Sequence, residues 1–277
     1  MRAEAARSRL VGTLAIVVSI VVFIVPFIFI FLTASKTIQE ANKLQFTLPT
    51  KWAFWDNLVT VLDTRNGVVP RAFLNSVILT VVSVALMVVL SAMVGYVLQR
   101  KKSRWNSVIN FMVLAGLIIP PAVVPTIWVL QRIGLFKTMP GFILIEATFG
   151  LSFSIMMFRA FVSTIPRELD EAAIIDGAGP IRLFFQVVMP LLKPVIVTVV
   201  VVQSVFVFNE FQNALYFLPG NATPTVQLTL YNFHAQGLSQ WNLLFMDILL
   251  ITVPMLVMYV FFNRQIVAGM TSGAVKG

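Results

Sequence analysis

The 277-residue sequence contains no cysteine and a single histidine, His234. Disulfides and thiolate metal sites are therefore excluded, and one imidazole cannot build a zinc site alone. Charge is also scarce, since Asp, Glu, Lys and Arg make up only 11% of the residues, against about 25% in a soluble domain. No Gly-x-x-x-x-Gly-Lys-Ser/Thr loop, His-Glu-x-x-His or Gly-x-Ser-x-Gly occurs. Phosphate-cradling, zinc-hydrolase and nucleophile-elbow chemistries thus find no scaffold, and the chain is expected to be no enzyme and to hold no metal or cofactor of its own.

Apolar residues are what the sequence has in excess, at 58%. Runs of about 20 such residues are the length that crosses a bilayer. They predict six spans, near 10–32, 72–98, 108–130, 141–161, 195–218 and 243–262, and so an all-α polytopic membrane protein with 1–277 as one transmembrane domain. Pro120, Pro121 and Pro125 interrupt the third span and Glu146 sits in the fourth, so both are expected to be broken or packed away from lipid. The first follows an Arg-bearing start, as a secretory signal does, but its apolar stretch exceeds the usual core of about 7–15 residues and reads as an uncleaved helix.

Lys and Arg set the expected orientation. With the amino terminus in the cytoplasm, the inner segments hold 13 of the 20 basic residues, the clearest group being Arg100, Lys101, Lys102 and Arg104. The positive-inside rule then places both termini and the loop 163–194 on the cytoplasmic side. This distribution also accounts for the net charge of +9 without nucleic acid as a partner.

That loop is the most informative stretch. The stretch from Glu168 to Asp176 is rich in good helix formers, Gly177 to Pro180 must break the helix, and Ile181, Phe184, Phe185 and Val188 recur at helical spacing. A short helix, a turn and a second helix are predicted on the membrane surface. Ala172 and Ala173 allow a partner's surface to come close, Gly177 permits a positive φ, and Glu171 and Asp176 offer charge-assisted bonds to basic groups. A solvated interfacial helix is the plainer alternative.

Glu171, Ala172, Ala173, Asp176, Gly177, Ala178, Pro190 and Leu191 resemble the "EAA" coupling loop of ABC importer permeases. That resemblance implies a type I importer permease fold and docking of a separate ATPase through this loop. A second resemblance lies at the carboxyl end, 263–277, where Gly269, Ser272, Gly273 and Lys276 fall in a stretch similar to the close of the smaller permease of maltose-type carbohydrate importers. There it implies a tail that reaches toward the ATPases. Its Gly, Ser, Thr and Ala are expected to be too flexible to anchor a fold.

Glu146, Glu210 and Asp247 are the acids inside the predicted spans, and intramembrane carboxylates are functional-site candidates by default. The fifth span is the most polar, with Gln203, Asn209, Glu210, Gln212, Asn213 and Tyr216. If it is one helix, Asn209, Gln212, Asn213 and Tyr216 share a face, and Glu210 lies about 22 Å from Val195, in the outer half of the bilayer. Amides and hydroxyls beside aromatic rings suit a polyol, although such groups also serve simply to bond neighbouring helices. Phe208-Asn209-Glu210-Phe211 resembles an element of the fifth helix of carbohydrate-importing permeases, which implies a translocation pathway here. By the same resemblance, the nearly uncharged segment from Pro219 to Trp241 touches an extracytoplasmic solute-binding protein.

The family likeness implies one half of a heterodimeric permease in the bacterial inner membrane, working with two ATPases that bind the ATP and magnesium. A sugar or oligosaccharide is the implied cargo. Two alternatives stay open: an ion-coupled secondary transporter using the intramembrane acids, and an ABC permease for another polar solute.

Overall fold

The computed structural model describes residues 2–220, 223–234 and 240–272. Among them there are helices and turns and no strand. In chain order the helices are α1 (Arg2–Ala34), α2 (Ile38–Ala41), α3 (Phe54–Arg100), α4 (Asn106–Ile118), α5 (Val123–Arg132), α6 (Met139–Val162), α7 (Glu168–Ile175), α8 (Pro180–Arg182), a π-helical turn (Leu183–Val188), α9 (Met189–Leu191), α10 (Lys193–Phe208), α11 (Gln212–Phe217), α12 (Val226–His234) and α13 (Trp241–Ser272). Four of the described helices are long and apolar enough to cross a membrane, and the count reaches six if each of two bent pairs is one span.

The first of these bends has a visible cause. Between α4 and α5 the chain turns by 115° across Ile119-Pro120-Pro121-Ala122, because proline lacks an N–H and pushes the residue before it out of the helical region. Pro125 does not break the span, since it lies in the first turn of α5, where no intrahelical bond is lost. In α3 the non-helical stretch is Thr64 to Gly67, with φ positive at Arg65, Asn66 and Gly67. Glu146 leaves α6 unbroken and is buried within it.

The described chain separates into two compact units, one of residues 1–71 and 228–254, the other of residues 72–227 and 255–277. In the first unit Asn57 ties α1 to later elements. Its Nδ2 donates to the carbonyls of Ala34 and Lys36, both at 2.8 Å, and its Oδ1 accepts from Asn242 Nδ2 at 2.7 Å. Asn57→Leu would orphan three buried groups, each costing about 1–3 kcal/mol. The apparent melting midpoint in detergent is expected to fall clearly, and an unchanged midpoint would contradict this role.

In the second unit α6 packs against α4 and α10. Helix α3 comes close to α6 at Gly95, where a Cβ would lie 2.9 Å from both Arg159 N and Phe158 Cβ. Small residues at such crossings let two helix backbones come together inside a membrane.

Candidate functional site

The predicted helix, turn and helix are present. Helix α7 carries Glu168, Asp170 and Glu171 in its first turn, where the positive end of the helix dipole favours acids. It closes on Gly177, whose φ is +79°. The Ala178 N–H bonds to Ala173 O at 2.9 Å and the Gly177 N–H to Ile174 O at 3.0 Å, the pair of bonds that defines a Schellman motif with glycine at its left-handed position. Gly179 is extended and Pro180 starts the second arm.

That second arm departs from the predicted face. Leu183, Phe184 and Val188 are buried, whereas Ile181 is 76% exposed and Phe185 is exposed as well. The cause is the π turn, in which i→i+5 bonding widens the helix and stacks Leu183 with Val188 on the face that Phe184 shares. Of the coupling residues singled out by sequence, Glu171, Ala172, Asp176, Gly177 and Pro190 are exposed, Ala178 is half-buried and Ala173 is buried. Ile174, Ile175 and Ile181 are exposed beside them, so the hairpin presents an apolar tip rimmed by carboxylates.

Three residues that the loop motif did not single out hold the hairpin in place. Asp170 is buried, and its Oδ2 lies 2.7 Å from Arg100 Nε and accepts from the Tyr96 hydroxyl at 3.1 Å. Arg100 also donates through Nη2 to Ile165 O at 3.0 Å. The Tyr96 ring packs against Phe184, with centroids 5.8 Å apart. These groups line a cavity of about 610 Å³ between the last turns of α3 and the hairpin. In the sequence, Arg100 signals only topology. The single local hint was an acid on α7 one position before the motif's glutamate.

The fifth span needs correction. It is not one helix over 195–218: α10 stops at Phe208, Asn209 to Phe211 form a break, and α11 begins at Gln212. Asn209, Gln212, Asn213 and Tyr216 therefore share no continuous face. Asn209 is exposed and bonds back to Val205 O at 2.8 Å while accepting from Gln227 at 3.1 Å. Gln212 and Tyr216 are exposed and lie outside the cavity described next.

What does assemble is Gln203, Glu210, Asn213 and Glu146, around a cavity of about 330 Å³ that Phe149 and Phe206 also line. Gln203 is buried and its Nε2 donates to Gly150 O at 3.3 Å and to Ser154 Oγ at 3.2 Å. Glu210 Oε1 accepts the Asn213 N–H at 2.7 Å, taking a donor that the first turn of α11 leaves unbonded. Asn213 Nδ2 in turn donates to Glu146 Oε1 at 3.2 Å. Glu146, an acid that the sequence places inside a predicted span, here lines the same cavity as the polar residues of the fifth span. The third such acid, Asp247, is fully buried within the first unit and accepts from Thr229 Oγ1 at 2.8 Å. Together the amides, carboxylates and rings can bond a polar solute and stack on its C–H faces.

The carboxyl-terminal stretch also differs from expectation. Helix α13 continues to Ser272, so Gly269 and Ser272 lie on helical backbone, whereas Gly273 and Lys276 fall outside the described residues. In the uncharged segment before α13, Val226–His234 forms α12, and residues 221–222 and 235–239 lie outside the description.

Similarity to known proteins accords with this arrangement. The family described as "Binding-protein-dependent transport system inner membrane component" matches residues 87–271, which include the hairpin and the polar cavity. The chain is 31% identical to the melibiose/raffinose/stachyose import permease protein MelC of Bacillus subtilis, over 75% of this chain and 76% of that one. It is 30% identical to the probable starch degradation products transport system permease protein AmyC of Thermoanaerobacterium thermosulfurigenes, with both chains wholly covered. Among solved structures it is similar to a bacterial ABC transporter involved in the import of the acidic polysaccharide alginate. The TM-score is 0.83 and the identity 19%, over 95% of this chain and 98% of that one, a likeness of fold. The chain belongs to the family of binding-protein-dependent transport system inner membrane components, and is a membrane permease rather than an enzyme.

Proposed function

We propose that the chain is one of two permease subunits of an ABC importer for a sugar or oligosaccharide. It works with a second permease, two ATPases that bind ATP and magnesium, and an extracytoplasmic solute-binding protein. The observation that carries this reading is the hairpin itself: a Schellman turn at Gly177 holds an exposed apolar tip among carboxylates, joined to the membrane helices by a buried ion pair. A loop that merely connected two spans would not need to be so fixed.

The orientation of the basic residues supports a hairpin on the cytoplasmic side, with both termini there. On that reading the ATPases dock on Glu171, Ala172, Asp176 and Gly177, and the end of α13 points toward them. The cargo passes Gln203, Glu210, Asn213 and Glu146, and 1–277 acts as one transmembrane domain. Support for a sugar comes from two sides. Relatives named for melibiose, raffinose and stachyose, for diacetylchitobiose and for trehalose are 31–34% identical, and amides lie beside aromatic rings in the cavity.

The test is reconstitution of the whole complex in vesicles with the binding protein and a labelled oligosaccharide. Uptake is expected to require ATP inside the vesicles and to stop when the ATPase loses its phosphate-binding lysine. Uptake that persists on a proton gradient with that ATPase would instead favour an ion-coupled transporter.

A further inference from the structure

We infer that Arg100, Asp170 and Tyr96 are positioning residues that fix both arms of the hairpin to α3, making that helix the arm through which hairpin movement reaches the polar cavity. The inference rests on the reading of the hairpin as the ATPase-docking element.

Tyr96 and Arg100 are four residues apart on α3 and so lie on one face, a turn apart. Both grip Asp170, and each adds a separate hold on the hairpin. Arg100 takes the start of the first arm, through Asp170 at 2.7 Å and through the carbonyls of Ile165 at 3.0 Å and Pro166 at 3.4 Å. Tyr96 holds both arms at once, its hydroxyl on Asp170 at 3.1 Å and its ring against Phe184 in the π turn.

Burial makes the grip consequential. Exposed ion pairs are held loosely and screened by water, but the side chains of Arg100 and Asp170 are only 10% and 11% exposed. Asp170 Oδ1 has no hydrogen-bond partner among the described residues, so Arg100 and Tyr96 supply the compensation for this carboxylate. A buried charge that depends on one partner strongly resists losing it. The hairpin therefore cannot shift far without taking the end of α3 along.

The other end of the arm reaches the polar cavity. Helix α3 has regular backbone from beyond Gly67 to Arg100, and Met87, which lines the polar cavity, lies about 20 Å from Arg100 along it. At Gly95 the helix presses on α6, with Ile155 O 3.2 Å from the place of a Cβ. Helix α6 carries Glu146 and Gly150 on the cavity wall. Displacement of the hairpin is thus delivered by α3 to the wall where Gln203 and Asn213 wait.

The experiment measures sugar molecules imported per ATP hydrolysed by the reconstituted complex carrying D170N, R100Q or both. Each single substitution is expected to lower that ratio about tenfold while the ATPase is still captured, and the double variant to be no worse than either single, as for two residues acting through one contact. A role in folding alone would reduce import and hydrolysis together and leave the ratio unchanged. An unchanged ratio, losses that multiply in the double variant, or failure of D170N to assemble with the ATPase would each overturn the inference. If the unsubstituted complex imports no sugar, the functional reading fails instead, independently of these variants.

Discussion

Gly177→Val is expected to reduce capture of the ATPase by the permease at least about tenfold, equivalent to roughly 1.4 kcal/mol, while membrane insertion stays intact. Gly177 sits at φ +79° with nothing within 4 Å of where a Cβ would lie, so the penalty comes from the backbone and not from crowding. A left-handed conformation costs an L-residue about 1–2 kcal/mol, and branching at Cβ makes the region still less accessible. The valine chain would escape by leaving that region, which breaks the bonds from Gly177 N–H to Ile174 O and from Ala178 N–H to Ala173 O. The second arm would then swing away, and Ile174, Ile175 and Ile181 would no longer share one tip.

Gly177→Asn separates this explanation from another. Asparagine enters the left-handed region readily, so this variant is expected to keep most of its ATPase capture in a pull-down and most of its transport. If glycine were needed because the ATPase packs directly on its Cα, asparagine would fail as badly as valine. Equal loss in both variants would therefore move the role of Gly177 from the turn to the interface.

The hairpin was legible in the sequence because its signals are local. Helix formers, a glycine where φ must be positive and a proline at the start of the next helix all act within a few residues. The kink near Pro120 and Pro121 was legible for the same reason. The break at 209–211 was not, because Phe208-Asn209-Glu210-Phe211-Gln212 contains neither glycine nor proline. It is held instead by Glu210 taking the Asn213 N–H and by Asn213 reaching Glu146, 67 residues away. The π turn was hidden differently. Six residues are too few to distinguish a wider helix from a normal one by apolar spacing, and that spacing gives no sign that Leu183 is buried.

The Arg100 and Asp170 pair marks the sharpest limit of sequence reading. A basic cluster beside a span satisfies the positive-inside rule by itself, so nothing in the sequence asks for a partner, and the acid that provides one lies 70 residues on. Only the approach of α7 to the end of α3 reveals that one arginine can serve topology and packing at once.

Gly95→Ala and Gly150→Ala should differ widely in cost, although each adds a single methyl to a helix in the same unit. At Gly95 the new carbon would meet Arg159 N and Phe158 Cβ at 2.9 Å and Ile155 O at 3.2 Å. Two of these are backbone atoms and the third is fixed to the backbone of a fully buried residue. No rotamer change relieves them, so α3 and α6 must separate, and overpacking of this kind costs about 1–3 kcal/mol. At Gly150 the nearest atoms are the sulfur and terminal methyl of Met87, with Gln203 Oε1 at 3.1 Å. Met87 is flexible, lines the cavity of about 330 Å³ and can turn its end into that space. Gly95→Ala should thus lower the apparent melting midpoint in detergent and, by separating α3 from α6, also lower import per ATP. Gly150→Ala should leave the midpoint nearly unchanged and act mainly on the cavity, as a change in the concentration of sugar needed for half-maximal uptake. A Gly95→Ala protein as stable and as tightly coupled as the unsubstituted one would mean that α3 and α6 do not move as one body.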